Sequence, residues 1–302
     1  MEETKKERII KKKKINSSSS TNLLNKPKMK TKKIISLKCK NLEDNLNIST
    51  IDLSNGLEET EILFYKKNLT KLEKFKYDYK TDYINKSVLM SGNIKDYNLT
   101  KEYKCYCVDD CYNDTCNCII DHAQIYECNS NCTCSWICGN RKVQRGVSYN
   151  LKVDYINRKK GFGVFALQDI QKDNFVCEYI GKIIPKEIAE QKIKINQIRK
   201  SPNYVLQIRE NYETITINTF IDAEEKGNVS RFLNHSCKPN LYFDVVRIEN
   251  FIPGVAFFSS RDIKKGEELT FSYGQDNFRD SCELSYKECL CGEDDCIKFL
   301  PS

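Results

Sequence analysis

The rhythm of apolar and polar positions changes near Tyr149. From there "SYNLKVDYI" alternates as a strand, and "KKGFGVFAL" is a glycine-marked turn into a second one. "NFVCEYIGKII" predicts strands broken at Gly181. "PKEIAEQKIKINQIRK" opens on Pro185 and predicts a helix, with Ile184, Ile188 and Ile195 roughly on one face. "NYVLQIRE" and "TITINTFID" alternate around a polar turn, and "GVAFFSSRDI" and "ELTFSYG" add two further strands. Many short strands with one helix predict a β-rich mixed α+β domain over residues 147–276.

Upstream the pattern is weaker. Residues 1–40 are low-complexity and lysine-rich, and predict a disordered basic tail. Residues 41–104 are rich in Asn, Lys and Tyr without a clear period. Residues 41–74 therefore read as linker, and the stretch from Phe75 as packing onto the cysteine-rich region that ends near residue 146. Residues 277–302 form a second, C-terminal cysteine module.

Charge follows this division. Residues 1–40 carry 14 Lys/Arg and 3 Glu, a net of +11; the whole chain is +7, which leaves −4 for residues 41–302. A mildly acidic body suits a basic peptide, and the tail suits nucleic acid or an import receptor; a merely solvated arm is the plain alternative. The charged N-terminus shows no secretory pattern, and no apolar run approaches the ~20 residues of a membrane span. The expectation is an intracellular, reducing compartment and no membrane partner, where 16 cysteines point to metal rather than disulfides.

Nine of those cysteines fall within 34 residues: Cys105, Cys107, Cys111, Cys116, Cys118, Cys128, Cys132, Cys134 and Cys138. Cys-x-Cys pairs close poorly on themselves, and an odd number cannot form a closed disulfide set. Zinc takes four thiolates per ion. Three zincs share nine thiolates if three sulfurs bridge, and Arg141 and Lys142 would offset the negative cluster. The alternative is two separate four-thiolate sites with a spare thiol. Cys289, Cys291 and Cys296 ("CLCGEDDC") are one ligand short of a tetrahedral site, and Cys237, isolated in the loop "RFLNHSCKPN", supplies it. Cys177 reads as a small core residue; Cys39 and Cys282 have no assigned role.

Residues 105–302 resemble SET-domain lysine methyltransferases of the suppressor-of-variegation class. The likeness runs from a nine-cysteine pre-SET ending in "CGNRKVQRG" through "GFGVFA", "CEYIGKII", "GNVSRFLNHSCKPNL" and "GEELTFSY" to the post-SET "CLCGEDDC". "NYVLQIRE", "VRIENFIP" and the terminal "FLP" look like the SET part of SET–mariner transposase fusions. The resemblance implies small β-sheets with a C-terminal pseudoknot at "NHSC", S-adenosylmethionine as cofactor, and lysine of a histone H3 tail as acceptor. Lysine 9 is favoured; H3 lysine 36 or 4, a non-histone lysine, or an inactive chromatin-binding scaffold are the alternatives. It also implies a nuclear, chromosomal location.

Carried over residue by residue, Tyr273 matches the catalytic tyrosine, Tyr179 a tyrosine that orients the amine, Phe271 the product-specificity position, and Tyr204 a channel-lining aromatic. The backbone of Gly161, Phe162 and Gly163 would approach the methionine end of the cofactor; many relatives carry Trp at the place of Phe162. Asn234 and His235 would bind its amino and adenine portions, with Arg231 and Phe232 supporting them and Phe299 and Leu300 covering the adenine. The peptide would add as a strand near "NTFID", with Asp222, Glu224 and Glu225 as contacts for its basic side chains. No general base stands out: His122 lies in the zinc region and His235 in the cofactor loop.

Overall fold

A computed structural model describes residues 48–67, 82–90, 104–108, 110–111, 116, 118, 125–274 and 287–300. The basic tail, His122, Cys39 and Cys282 lie outside the described residues, all of which belong to one compact unit, Asn47–Ser302. They form sheets of six, four, four and two strands. The six-stranded sheet runs Ile48–Asp52, Ile62–Lys67, Leu151–Asn157, Gly161–Ala166, Glu268–Phe271 and Asn234–His235. A second runs Val205–Asn211, Thr216–Asp222, Lys182–Ile184 and Val88–Leu89, and a third Ile125–Tyr126, Leu241–Arg247, Gly254–Ser259 and Phe175–Tyr179.

The alternation seen in the sequence sets which face each strand buries. Leu151, Val153, Val164, Leu269, Val255 and Phe257 turn inward and are fully buried in one shared core. Val205–Asp222 is a hairpin whose register places Val205 opposite Asp222 and Asn211 opposite Thr216. Its turn is tied to the third sheet by a buried ion pair, Arg247 to Glu210 at 2.5 Å, with Arg247 also donating to the Phe251 carbonyl at 3.1 Å. Strand Leu241–Arg247, which the apolar pattern does not announce, is the partner of Gly254–Ser259.

Two expectations are corrected. Residues 41–74 are not a plain linker: Ile62–Lys67 pairs in parallel with Leu151–Val153, and Ile62 and Phe64 are 0% and 1% exposed. Phe64 packs against Phe162 with ring centres 5.2 Å apart, so burial of two alternate apolar side chains, rather than a visible period, holds this strand. The helix, Lys186–Arg199, starts after Pro185 and ends where Lys200 turns left-handed, φ +51°. It packs through Ala189 and Ile188 onto Phe220 and Val205; Ile195 and Ile198 face solvent, and Ile184 lies in the preceding strand. The helix therefore touches the hairpin near its N-terminal end rather than along a full apolar face. No helix among the described residues is long and apolar enough to cross a membrane.

The strand Phe175–Tyr179 carries Tyr179 on one face and Glu178 on the other. A Cβ on Gly254 would sit 2.6 Å from Glu178 Oε1, so glycine there makes room for the carboxyl group. Burial, with Glu127 and Glu58 adding, pushes the Glu178 carboxyl up to about 8.

Phe64→Ala is expected to lower unfolding free energy by about 3–5 kcal/mol in chemical denaturation; a loss within 0.5 kcal/mol, about the ordinary value for a surface change, would return this segment to the status of linker. The Glu178 carboxyl binds its proton more tightly folded than unfolded, where it titrates near ~4.3. Its contribution to stability is therefore lost as pH rises from about 4.5 through about 8. Glu178→Gln should flatten that slope, so urea midpoints at pH 6 and 9 should differ less in the variant than in the parent.

Candidate functional site

The site forms where two distant loops meet. Asn234–His235 lies parallel to Glu268–Phe271, with Asn234 opposite Thr270 and His235 opposite Phe271. Ser236 N–H donates to the Phe271 carbonyl at 3.1 Å. Asn240 then clamps the same strand: its amide donates to the Glu268 carbonyl at 2.8 Å and accepts from Thr270 N–H at 2.9 Å. This pairing places His235 against Tyr273, their rings 5.4 Å apart, and Tyr273 N–H donates to His235 Nδ1 at 3.1 Å. The imidazole proton therefore sits on Nε2, which faces Cys237 Sγ at 3.4 Å. Burial holds His235 below its usual range, and both its nitrogens are engaged, so it is not a free base.

The aromatic residues converge. Phe271 lies 5.0 Å from Tyr273 and 4.7 Å from Phe257, ring centre to ring centre. The Tyr179 hydroxyl donates to the Tyr204 carbonyl at 2.8 Å, and the Tyr273 hydroxyl to the Leu233 carbonyl at 3.0 Å. Tyr273 is 46% exposed as a residue, but its hydroxyl is bonded to the backbone of Leu233. Burial raises both phenols above their ordinary range; Tyr273 adds to the effect at Tyr179 while Arg231 opposes it. Both therefore stay protonated near neutral pH and serve as hydroxyl groups rather than as bases. Arg231 stacks on Tyr204 at 4.3 Å and on Phe232 at 5.1 Å, and donates to the carbonyls of Ala223 and Glu224 at 3.0 and 3.2 Å.

The glycine loop packs beside them. Gly161 adopts φ +77°, a conformation that favours glycine. A Cβ on Gly163 would lie 2.6 Å from Ile156 Cδ1, 2.8 Å from Glu268 Oε1 and 3.1 Å from Asn234 Nδ2. Asn234 Nδ2 donates to the Phe162 carbonyl at 2.8 Å and to Glu268 Oε1 at 2.9 Å. Both partners only accept, so the Asn234 carbonyl oxygen must turn the other way. Lys160 pairs with the second oxygen of Glu268 at 2.6 Å. Glu268 stands within "GEELTFSY" with no role legible in the sequence; a carboxylate three residues before Phe271 carries no signal that it reaches Asn234. Phe162 itself is buried between Phe64, Tyr155 and Phe232, and contributes backbone here rather than a polar side chain.

The cysteines gather as two sets. Cys237, Cys289, Cys291 and Cys296 bring four sulfurs within 4.8 Å of one another. Cys237 lies 3.8 Å from Cys289 and 3.9 Å from Cys296. A tetrahedral zinc–thiolate site with bonds of ~2.3 Å has sulfur–sulfur edges of about 3.8 Å, whereas a disulfide needs ~2.05 Å. Upstream, three overlapping tetrads appear among the described residues; Cys105 belongs to all three, and Cys111, Cys116 and Cys128 to two each. Shared thiolates are what a multinuclear cluster requires. Cys132 and Cys138 accept backbone N–H groups of Cys105 and Cys111 at 3.4 and 3.3 Å, and Arg141 reaches Cys134 Sγ at 3.7 Å. These donors favour charged thiolates over thiols.

Phe299 and Leu300 follow the tail cysteines. Ile297 N–H donates to Cys237 Sγ at 3.5 Å, Phe299 bridges to Glu288, and Phe299 is 46% exposed. The expected peptide contacts are differently engaged: Asp222 and Glu224 hold Lys192, and Glu225 holds Lys182.

A family model for the SET domain matches residues 161–274. The chain is 39% identical over 187 residues to the histone-lysine N-methyltransferase SETMAR of Rattus norvegicus; the match covers 59% of each protein, so the chain spans well under two thirds of that relative. The methyltransferase domain of human SETMAR superposes with a TM-score of 0.70 at 30% identity, covering 84% of this chain and 98% of that one. SUVH6 of Arabidopsis thaliana, solved in complex with S-adenosylmethionine, gives 0.64 at 26% identity, covering 84% and 56%. The chain belongs to the SET-domain family of histone-lysine N-methyltransferases.

Proposed function

We propose that the chain transfers methyl groups from S-adenosylmethionine to a lysine ε-amine of a histone H3 tail, lysine 9 favoured, to give di- or trimethyl-lysine in chromatin. The observation that carries this reading is the convergence of Tyr179, Tyr204, Phe271 and Tyr273 beside the paired loop of Asn234 and His235. An inactive scaffold is disfavoured because each of these residues is present. H3 lysine 36 or 4, or a non-histone lysine, is the second reading of the target, which the resemblance to SET–mariner transposase fusions implies. Nucleic-acid contact through the basic tail is a further proposal.

The residues fit the cofactor. The outward carbonyl oxygen of Asn234 suits its amino-acid end, which Gly161, Phe162, Gly163 and His235 would hold, and Phe299 and Leu300 would cover the adenine. When bound, it supplies a methyl group on a sulfonium, a good leaving group. The chain's part is alignment, for which oriented groups supply much of the rate. Tyr179 and Tyr204 hold each other through a hydrogen bond and wall the lysine channel, and Arg231 braces Tyr204 from behind. The lysine proton leaves to solvent, since the described residues offer no free base and the phenols stay protonated. Aromatic faces then favour the methylated ammonium. The thiolate sets suit zinc, three ions in the nine-cysteine cluster and one in the tail site.

Mass spectrometry of H3 peptides over time tests the activity. Methylation of lysine 9 before lysines 4 and 36 is expected; no transfer to any peptide would overturn the reading. Wild type should pass beyond monomethyl-lysine, because Phe271 leaves no hydroxyl at the channel's end. Phe271→Tyr should shift product toward monomethyl with the first transfer largely retained, and an unchanged distribution would remove Phe271 from that role. Elemental analysis should find four zincs per chain, and Cys237→Ser should lose one of them together with cofactor affinity. Retention of all four in that variant would remove Cys237 from the metal site.

A further inference from the structure

Lys192 reaches two carboxylates at once, Asp222 at 2.5 Å and Glu224 at 2.8 Å. The two contacts differ in kind. The Asp222 side chain is 4% exposed and also accepts the Glu224 N–H at 3.0 Å, so its cation cannot leave without stranding a buried charge. The Glu224 side chain is 43% exposed, and an ion pair so open to water is weak and exchangeable. Glu224 also stands beside the channel wall. Ala223 N–H donates to the Tyr204 carbonyl at 3.0 Å, the same oxygen that holds the Tyr179 hydroxyl. Arg231, stacked on Tyr204, grips the carbonyls of Ala223 and Glu224. An acidic group at the channel's edge is thus already met by a lysine of the chain itself.

We infer that Glu224 reads a basic residue flanking the target lysine, and that Lys192 is its built-in competitor, so that the site selects arginine over lysine at that flank. A guanidinium grips a carboxylate through two parallel hydrogen bonds, which an ammonium cannot do. A flanking lysine only repeats the contact that Lys192 already makes, whereas arginine adds to it. Lys192 stays on Asp222 and repels any cation that approaches, which weakens undiscriminating attraction to basic peptides. The inference rests on the proposed entry of lysine between Tyr179, Tyr204 and Phe271.

The test is binding of labelled peptides to the full, zinc-loaded chain by fluorescence anisotropy. The peptides differ only at one neighbour of the target lysine, before or after it, which is arginine, lysine or citrulline. Wild type should bind the arginine peptide roughly threefold tighter than the citrulline one, within the range of exposed pairs. Lys192→Met should widen that ratio to roughly tenfold and let the lysine peptide gain as well. Lys194→Met, which removes an exposed lysine of the same helix, should leave the ratios unchanged. Glu224→Gln should bring the three peptides to one Kd. Because Lys192→Met also strips Asp222 of its cation, Glu224→Gln decides alone if that variant fails to fold. An arginine preference that survives Glu224→Gln, or equal effects of Lys192→Met and Lys194→Met, would overturn the inference. Peptides bound with the expected ratios but never methylated would sink the enzymatic reading and leave the inference standing. Methylation with binding blind to the flank would do the reverse, and no binding of any peptide would sink both.

Discussion

The parallel pairing of Asn234–His235 with Thr270–Phe271 is the constraint on which the site depends. Side chains alternate across a strand, so a slip of one residue would send Asn234 and His235 to each other's faces. The pairing is too short to resist that slip alone. It is held from outside by the Asn240 side chain, which is 3% exposed and bonds the backbone on both sides of Leu269. Glu268 adds a second hold by taking the Asn234 amide while Lys160 takes its other oxygen. The amide orientation, the His235 tautomer and the placement of Tyr273 then follow from geometry rather than from any strong individual bond.

The cysteine sets extend the same logic to parts of the chain that have little core of their own. The tail tetrad joins Cys237 to Cys289, Cys291 and Cys296, and so ties the loop after His235 to the last described residues. The nine-cysteine region docks through two residues of strand, Ile125–Tyr126 alongside Val246–Arg247, and through Glu127, whose N–H meets the Arg247 carbonyl at 3.0 Å. Arg247 therefore belongs at once to the cysteine region, to the third sheet and, through Glu210, to the hairpin after Tyr204.

Most of the catalytic sheet system is legible in the sequence, because strands that bury one face must alternate; the Val205–Asp222 hairpin and Gly161–Ala166 are of this kind. The cysteine sets are legible for a chemical reason: thiolate number and spacing constrain a metal site directly. What escapes notice lacks a local signature. Ile62 and Phe64 sit in a short apolar run, Ile62–Tyr65, that shows no period, and only a partner far along the chain makes them core. The helix shows isoleucines at nearly helical spacing, yet Ile195 and Ile198 remain in water because the hairpin ends before them. Asp222 and Glu224 look like an acidic patch until the fold brings Lys192 across.

The parallel register of Ile62–Phe64 with Leu151–Val153 has a consequence for how the chain assembles. Parallel neighbours need a crossover, and here the excursion contains every cysteine from Cys105 to Cys138. The cluster is thus an insertion inside a closed loop rather than a bead on the chain's flank. Each thiolate gathered onto a metal would shorten the free length of that loop and lower the entropic barrier to its closure. Metal uptake at the cysteines would therefore favour completion of the six-stranded sheet, and completion of the sheet would favour metal uptake.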